Sequence, residues 1–581
     1  MTRRILAALV VLGALLALTG CLTVPTSGPI SVTGQAPAGD ADEGFSIVPH
    51  GPVPGAAPAE IVDGFLDAMQ ATPISTAVAR QYLDKDLASS WDPGQRTVTY
   101  ADKQPPRGMQ SIQVSLVGAD WIDRRGTWRG PVSASDADLH FRLARVDGQW
   151  RITKAPDALI VPQSWFEERF RQVSLYFFDP TGRILVPEPV FVPRGSQLAS
   201  ALVRDLMNGV GRAGRDVLRT FLPPSGTEGL SVPVGANGEA DVQITGGVGE
   251  QSPHALQLMG AQLAWTLRQD PTVRSIRLTL NGPSGPYPQD GAQFTVDSGA
   301  QFDPTGYADN NLLFGLRDGV VVSRSGPGFT PVAGPWGDPH DVSSLAVDLT
   351  AKRAAAVTSD GHGVLVGQLG ADRTLAMAPL SGTHLLRPAW DFADRLWLVD
   401  ETRSGAEVRY LPPAPDGTPV ADRAITVRVP GVTGQDVTSF LVSRDGSRLV
   451  AVVHGPTGDS VVVSRLRSND NGRVLGATHA RVISNPGQGT VRIGMLAWKS
   501  PTAVVAVQQL SDTALMRVLS VDGSGSASAT LTVGDRVSAI VGSPVGADTL
   551  YAVIRGKLLD LTGLGANLPI GKDVTSVGYV G

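Results

Sequence analysis

The second half of the chain repeats itself, and repetition narrows what it can become. Apolar strand, turn, apolar strand recurs at Leu345 to Asp348, Pro388 to Asp391, Leu441 to Gly446, Leu496 to Lys499 and Ala539 to Gly542. With Asp348, Asp391, Ser443, Lys499 and Gly542 aligned, the spacings are 43, 52, 56 and 43 residues. A second strand follows each, as at Leu396 to Val399, Leu449 to Val453 and Ala503 to Val507. Four short strands in about 40–55 residues make a β-propeller blade. Asn311 to Ser325 reads as a sixth such unit. A pair of β-sandwiches is the competing architecture, and the regular recurrence argues against it.

The other constraint is a single residue. Cysteine occurs once, at Cys21. Intramolecular disulfides, thiolate metal sites and cysteine nucleophiles are therefore excluded. Arg3 and Arg4 are followed by apolar or small residues from Ile5 to Leu18, and then by Leu18-Thr19-Gly20-Cys21. This is a secretory signal with a charged start, a short apolar core and small residues at the cut. The apolar run is short for a bilayer of about 30 Å, which needs roughly 20 helical residues. Leu-Thr-Gly-Cys resembles the bacterial lipoprotein signal. The resemblance implies an S-diacylglycerol on Cys21, N-palmitoylation, and cleavage that leaves Cys21 as the first mature residue. The expected location is the extracytoplasmic face of the cell membrane, held through the lipid bilayer.

Removing residues 1–20 leaves 561, enough for three or four domains at roughly 100–200 residues each. Net charge is −5, and loss of Arg3 and Arg4 takes it to −7, with no polybasic tract beside the anchor. No basic field for nucleic acid is expected. Residues 21–58 carry Pro25, Pro29, Pro37, Pro49, Pro52, Pro54 and Pro58 among Gly, Ser and Ala, which reads as a flexible tether. The alternative is a segment packed on the first domain through Phe45, Ile47 and Val48.

Residues 59–171 read as α+β. Ile61, Phe65 and Met69 give an apolar helix face, and Phe141 and Leu143 alternate toward the Asp147-Gly148 turn before Trp150 and Ile152. This unit resembles the NTF2-like fold, whose cone can hold a ligand, although Trp150 reads as a core residue. Residues 172–296 begin with a strand at Val173 to Phe178 and a short return strand at Ile184 to Val186. Ser196 is the expected N-cap of a helix carrying Leu198, Leu202 and Leu206. A hairpin around Asn237-Gly238 joins Leu230–Val234 to Ala240–Ile244, then come a helix with Leu256, Met259, Leu263 and Leu267 and a strand at Ile276 to Leu280. The β-β-α-β-β-α-β order resembles the GerMN domain, which implies peptidoglycan or protein partners. Residues 297–581 complete the multidomain chain as the all-β propeller.

Taken together, the signal at Cys21, the NTF2-like unit, the GerMN-like unit and the propeller resemble the LpqB family of actinobacterial lipoproteins over essentially the full length. The resemblance implies an accessory protein of the MtrA–MtrB two-component system. Such a protein binds the ectodomain of the MtrB-type sensor histidine kinase and affects cell-wall homeostasis and division. It carries over one functional residue, Cys21.

No catalytic, metal or cofactor-binding residue is expected. The eight histidines show neither i, i+4 pairing nor a His-Glu-x-x-His motif, and Gly-x-Ser-x-Gly is absent. Gly565 to Lys572 has five residues between its glycines where a phosphate loop needs four, and Asp573 stands where Ser or Thr belongs. Asp40 to Gly44 and Ser468 to Gly472 lack the downstream Glu of a calcium loop and read as turns. Trp390 and Trp498 share one repeat position and read as blade packing. Trp336, in Gly334-Pro335-Trp336-Gly337, is the best candidate for a recognition residue. The expected protein is a non-enzymatic lipoprotein. The alternative is an envelope glycan-binding protein or hydrolase with its site in the propeller or the NTF2-like pocket.

Overall fold

The computed structural model describes residues 32–33 and 48–581, apart from 196, 212–213, 224–229, 246–250, 283–284, 307–311, 326–327, 371–374, 379–380, 414–423, 485–491, 526–529, 544–549, 563–566 and 572. The signal segment, Cys21, most of the tether, Asp40 to Gly44, Ser196 and Gly565 lie outside the described residues.

In the first unit, helix α1 (Pro58–Ala68) starts with Pro58 in its first turn, and the Glu60 carboxylate accepts from Ala57 N at 2.8 Å. Its buried face, Ile61, Val62, Phe65 and Leu66, lies against curved β-sheet. One sheet joins 159–162, 96–100, 120–123 and 128–131. The other joins 102–103, 111–117, 138–146 and 149–154, with 107–108 alongside. Strand 138–146 alternates strictly, with Leu139, Phe141 and Leu143 inside and His140, Arg142 and Ala144 outside. The Asp147-Gly148 turn has φ of 49° and 78°, the pair of positive values that a tight hairpin needs.

The second unit opens with an antiparallel hairpin of 170–178 and 185–193. The return strand is longer than the sequence suggested and runs on through Pro187, Glu188 and Pro189. Proline fits there because the hairpin has only two strands and each keeps an open edge. The 230–234 partner of the expected Asn-Gly hairpin is reduced to one bridge, Val234 to Ala240. Strand 239–245 instead pairs in parallel with 275–282, and a further strand, 285–295, follows antiparallel. Two helices, 198–207 and 253–267, cover this sheet and enclose a core of Leu202, Leu206, Val242, Leu263 and Ile276.

Six blades follow. Blade 1 holds 313–317, 320–325 and 328–331, and its innermost strand is 574–579 from the far end of the chain. Blades 2 to 6 start at Val342, Ala389, Val437, Met495 and Ala539. Leu313 pairs Tyr579 and Arg317 pairs Val574, so the ring is closed by backbone hydrogen bonds between distant segments. Blade 5 also takes the Val32–Thr33 strand on its outer edge. Each second strand is sandwiched between neighbouring blades and is apolar on both faces. Leu449 and Ala451 pack toward blade 3, while Val450 and Val452 pack toward blade 5. This explains why these strands read as continuous apolar runs rather than as alternation.

The tightest test of the first unit is Phe65, buried between Trp91 at 5.3 Å and Phe141 at 6.0 Å. Phe65→Ala should cost about 3–5 kcal/mol, read as a shift in the denaturant midpoint. An unchanged midpoint would contradict the packing described.

Candidate functional site

The polar site that organises this molecule is the junction between the second unit and the propeller. It begins with a repeated turn. In blade 2, Asp348 accepts from the backbone of Lys352 and Arg353 at 2.7 and 3.0 Å, and takes the Arg353 side chain at 3.0 Å. In blade 3, Asp391 accepts from Arg395 Nε and Trp397 Nε1, both at 2.7 Å. In blade 4 the aligned residue is Ser443. Its hydroxyl accepts from Arg448 N at 3.0 Å, and that short side chain leaves the Arg448 guanidinium to seek another carboxylate. Asp445 is 3.7 Å away and uses Oδ1 on Ser447.

The carboxylate arrives from the hairpin of the second unit. Glu188 Oε1 accepts from Arg448 Nη2 at 2.7 Å and from Arg465 Nη1 at 2.5 Å, while Oε2 meets Arg465 Nη2. Arg448 Nη2 also donates to Pro187 O at 2.7 Å. Only 17% of the Glu188 side chain and 1% of Arg448 remain exposed. Burial alone would push the Glu188 carboxyl up, but Arg465 and Arg448 outweigh it and hold it below the ordinary glutamate range.

Other contacts extend the junction. The Gln172 amide nitrogen faces Ser520 Oγ, Asp522 Oδ2 and Ser524 Oγ at 3.2, 3.0 and 3.1 Å. Arg183 stacks over Phe392. Between Asp179, Thr181, Phe392, Arg395 and Ser447 a cavity of about 20 Å³ remains, room for about one water. The first unit joins through Phe191 N to Gly126 O at 2.7 Å and through Trp128, which lies under Arg481 and against Gly523 of the propeller.

The sites expected from sequence fall elsewhere. Trp336 is a correction. It is fully buried between blades 1 and 2, edge-on to His340 at 5.9 Å, and is no surface recognition residue. The turn at Gly334, with φ of 80°, carries the ring inward. Trp390 is buried, and Trp498 donates to Val442 O of blade 4 at 3.1 Å, so both serve blade packing. The NTF2-like cone is filled by Phe65, Trp91 and Phe141. Trp150 is half-buried at its rim, under Arg145. Ser468 to Gly472 is a turn in which Asn469 Oδ1 accepts from Asn471 N and Arg473 N. Among the described residues, no three His, Cys, Asp or Glu side chains could hold a metal ion, and no helix is long and apolar enough to cross a membrane. Sequence reasoning missed Glu188, Arg448 and Arg465. The available signal was a lone acid between two prolines within an apolar strand.

Comparison with known families supplies the context. Residues 51–167 match the N-terminal domain of lipoprotein LpqB, 174–284 match the sporulation and spore germination domain, and 319–562 match the LpqB β-propeller domain. The chain belongs to the LpqB lipoprotein family. Lipoprotein LpqB of Thermobifida fusca is 27% identical, with 91% of each chain covered. That of Cutibacterium acnes is 26% identical over 91% of this chain and 90% of its own. That of Mycobacterium tuberculosis is 28% identical over 77% of this chain and 78% of its own. The junction lies where the germination-type domain of this LpqB-family chain meets the LpqB-type propeller.

Removing Glu188 strands one buried and one part-buried guanidinium. Glu188→Ala should cost about 3–5 kcal/mol and raise amide exchange in residues 185–193 and 443–448. The same latch sets a pH response. A glutamate whose folded pKa is depressed contributes stability above its unfolded value of about 4.3, and that contribution fades as pH falls through the lower folded value. Exchange protection at the junction should therefore hold at pH 5 (on the order of one unit above that value) and be lost only in stronger acid. Loss already near neutrality would contradict the pairing.

Proposed function

We propose that this chain is a lipid-anchored, non-enzymatic scaffold that binds the extracytoplasmic part of an MtrB-type sensor kinase. Through that contact it biases signalling that governs cell-wall homeostasis and division. The anchor is the acylated Cys21, and the location is the extracytoplasmic face of the cell membrane. The observation that carries the reading is the asymmetry of the propeller. In an antiparallel blade the first and third turns lie on one face and the second turn on the other. The first face is covered by the Glu188 hairpin, Gln172 and Trp128. The second face presents turns such as Arg403-Ser404 and Ser511-Asp512, exposed to solvent.

An open propeller face on which the described residues gather no cluster of catalytic groups suits protein contact better than turnover. Membrane confinement raises the effective concentration of a partner in the same bilayer, so modest contacts suffice. To alter signalling, the chain must bind one kinase state more tightly than the other.

Retention on an immobilised kinase ectodomain tests this. Arg403→Glu combined with Asp512→Lys should weaken retention by about tenfold or more, equivalent to about 1.4 kcal/mol. Cys21→Ala should abolish membrane recovery while sparing retention at high concentration. Retention that is absent for the unaltered chain, or indifferent to the open-face pair, would sink the reading.

A further inference from the structure

The first unit carries a basic face that no run of sequence announces. We propose that it is a docking surface for anionic lipid headgroups, so that the folded part lies against the bilayer that anchors it. The inference rests on the lipid-anchor part of the functional reading and not on the kinase.

Alternation builds the face. With Leu139, Phe141 and Leu143 turned into the core, Arg142 points outward, and the register sets it opposite Ser111 and Lys154. Ala144 stands opposite Arg151, which shares this outer face, whereas Arg145 and the Trp150 ring that it covers at 5.2 Å lie on the Leu143 side of the strand. Arg107 completes the face on the neighbouring strand. Apolar side chains crown it. Met109 is 69% exposed, Val146 at the hairpin end 39%, and Val53 67%. They are brought together by two hydrogen bonds. Leu143 N donates to Gln110 O at 2.8 Å, which places the Met109 turn beside the hairpin. Gly55 N donates to Gln149 Oε1 at 2.7 Å, which places the Val53 turn there too.

The acids facing this surface are few. Asp147 is exposed at the hairpin end, Asp138 is bonded to Ser115 at the opposite end, exposed Asp102 stands opposite Val117 on the far edge strand, and Glu60 caps α1. Exposed apolar residues ringed by arginines, in a chain of net charge −5, match an anionic interface and not bulk water. Residues 48–55, the end of the segment leading from Cys21, run onto this corner after Val32–Thr33 has paired with the outer edge of blade 5. The sheet that docks on the rest of the molecule, through Gly126 and Trp128, is the other one. The basic sheet therefore turns away from the propeller.

Acylation consumes the native thiol, so an added cysteine can be labelled alone. Full-length lipidated protein carrying Val146→Cys with a polarity-sensitive fluorophore is reconstituted into phosphatidylcholine vesicles, with and without phosphatidylglycerol. The expected result is a blue shift on the phosphatidylglycerol vesicles only. It is lost at high salt and lost with Arg142→Glu plus Arg151→Glu, and a Leu510→Cys label on blade 5 stays aqueous. An aqueous signal at Val146 on both vesicles overturns the proposal. So does an equal shift on both that survives charge reversal, or a shift produced by the kinase ectodomain without vesicles. Labelling of the unsubstituted protein would show Cys21 free, which is failure of the anchor and not of the surface. Kinase retention of the Arg142→Glu, Arg151→Glu chain should match that of the parent, which separates this surface from the kinase contact.

Discussion

One carboxylate shared by two guanidiniums fixes how this molecule is put together. Glu188 leaves the second unit on a strand whose neighbours are Pro187 and Pro189, and ends between Arg448 and Arg465 of blade 4. Taking three charges out of water is costly, and the attraction repays that cost only when the geometry is good. Here the Arg465 fork is bidentate and Arg448 has a second acceptor in Pro187 O. The net gain in stability is therefore modest, whereas any misplacement of the hairpin would leave charges buried and unpaired. The interaction dictates orientation more than strength.

Orientation then propagates. The first unit grips the second through Gly126 and Phe191, where a side chain at position 126 would collide with Phe191 O. It grips the propeller through Trp128, wedged under Arg481. The ring itself is closed by strand 574–579, and Ser576 Oγ accepts from Leu345 N of blade 2 at 2.9 Å. A chain of such contacts makes the open propeller face and the basic face parts of one body. If one end rests on lipid, the height and tilt of the other are set, which a partner in the same membrane would sense.

Some of this was legible in sequence because it is local. Runs such as Leu449 to Val453 show a strand buried on both faces, and alternation at Phe141 and Leu143 shows one buried on a single face. What was hidden depends on partners far along the chain. The clasp needs residue 313 to meet residue 579. The return strand reads as Ile184 to Val186 in sequence but runs through Pro187 and Pro189, because an edge tolerates proline. Trp336 looked like a loop side chain, and only the neighbouring blade made its site a core. The basic face was invisible for a related reason: its cations are separated in sequence by the core residues between them. Cys21 stood out because its signal is contiguous, and its chemistry remains a reading from sequence.

The repeat also shows how a ring of similar blades acquires individual parts. Blades 2 and 3 keep an Asp–Arg pair within the turn, and the same arginines reach only the next blade, Arg353 to Asp394 and Arg395 to Gly472 O. Blade 4 replaces the acid by Ser443 and exports its arginine to another domain. Blade 6 has Gly542 at the aligned position, where a Cβ would lie 1.8 Å from Trp498 O of blade 5, so close approach of inner strands decides that residue. One aligned column thus holds a turn acid, a serine that leaves the neighbouring arginine free for the junction, and a packing glycine. The position is shared, but the physical demand differs with what lies beside each blade. Departures from a repeat are accordingly where the neighbours of a blade, and with them the functional contacts, can be read.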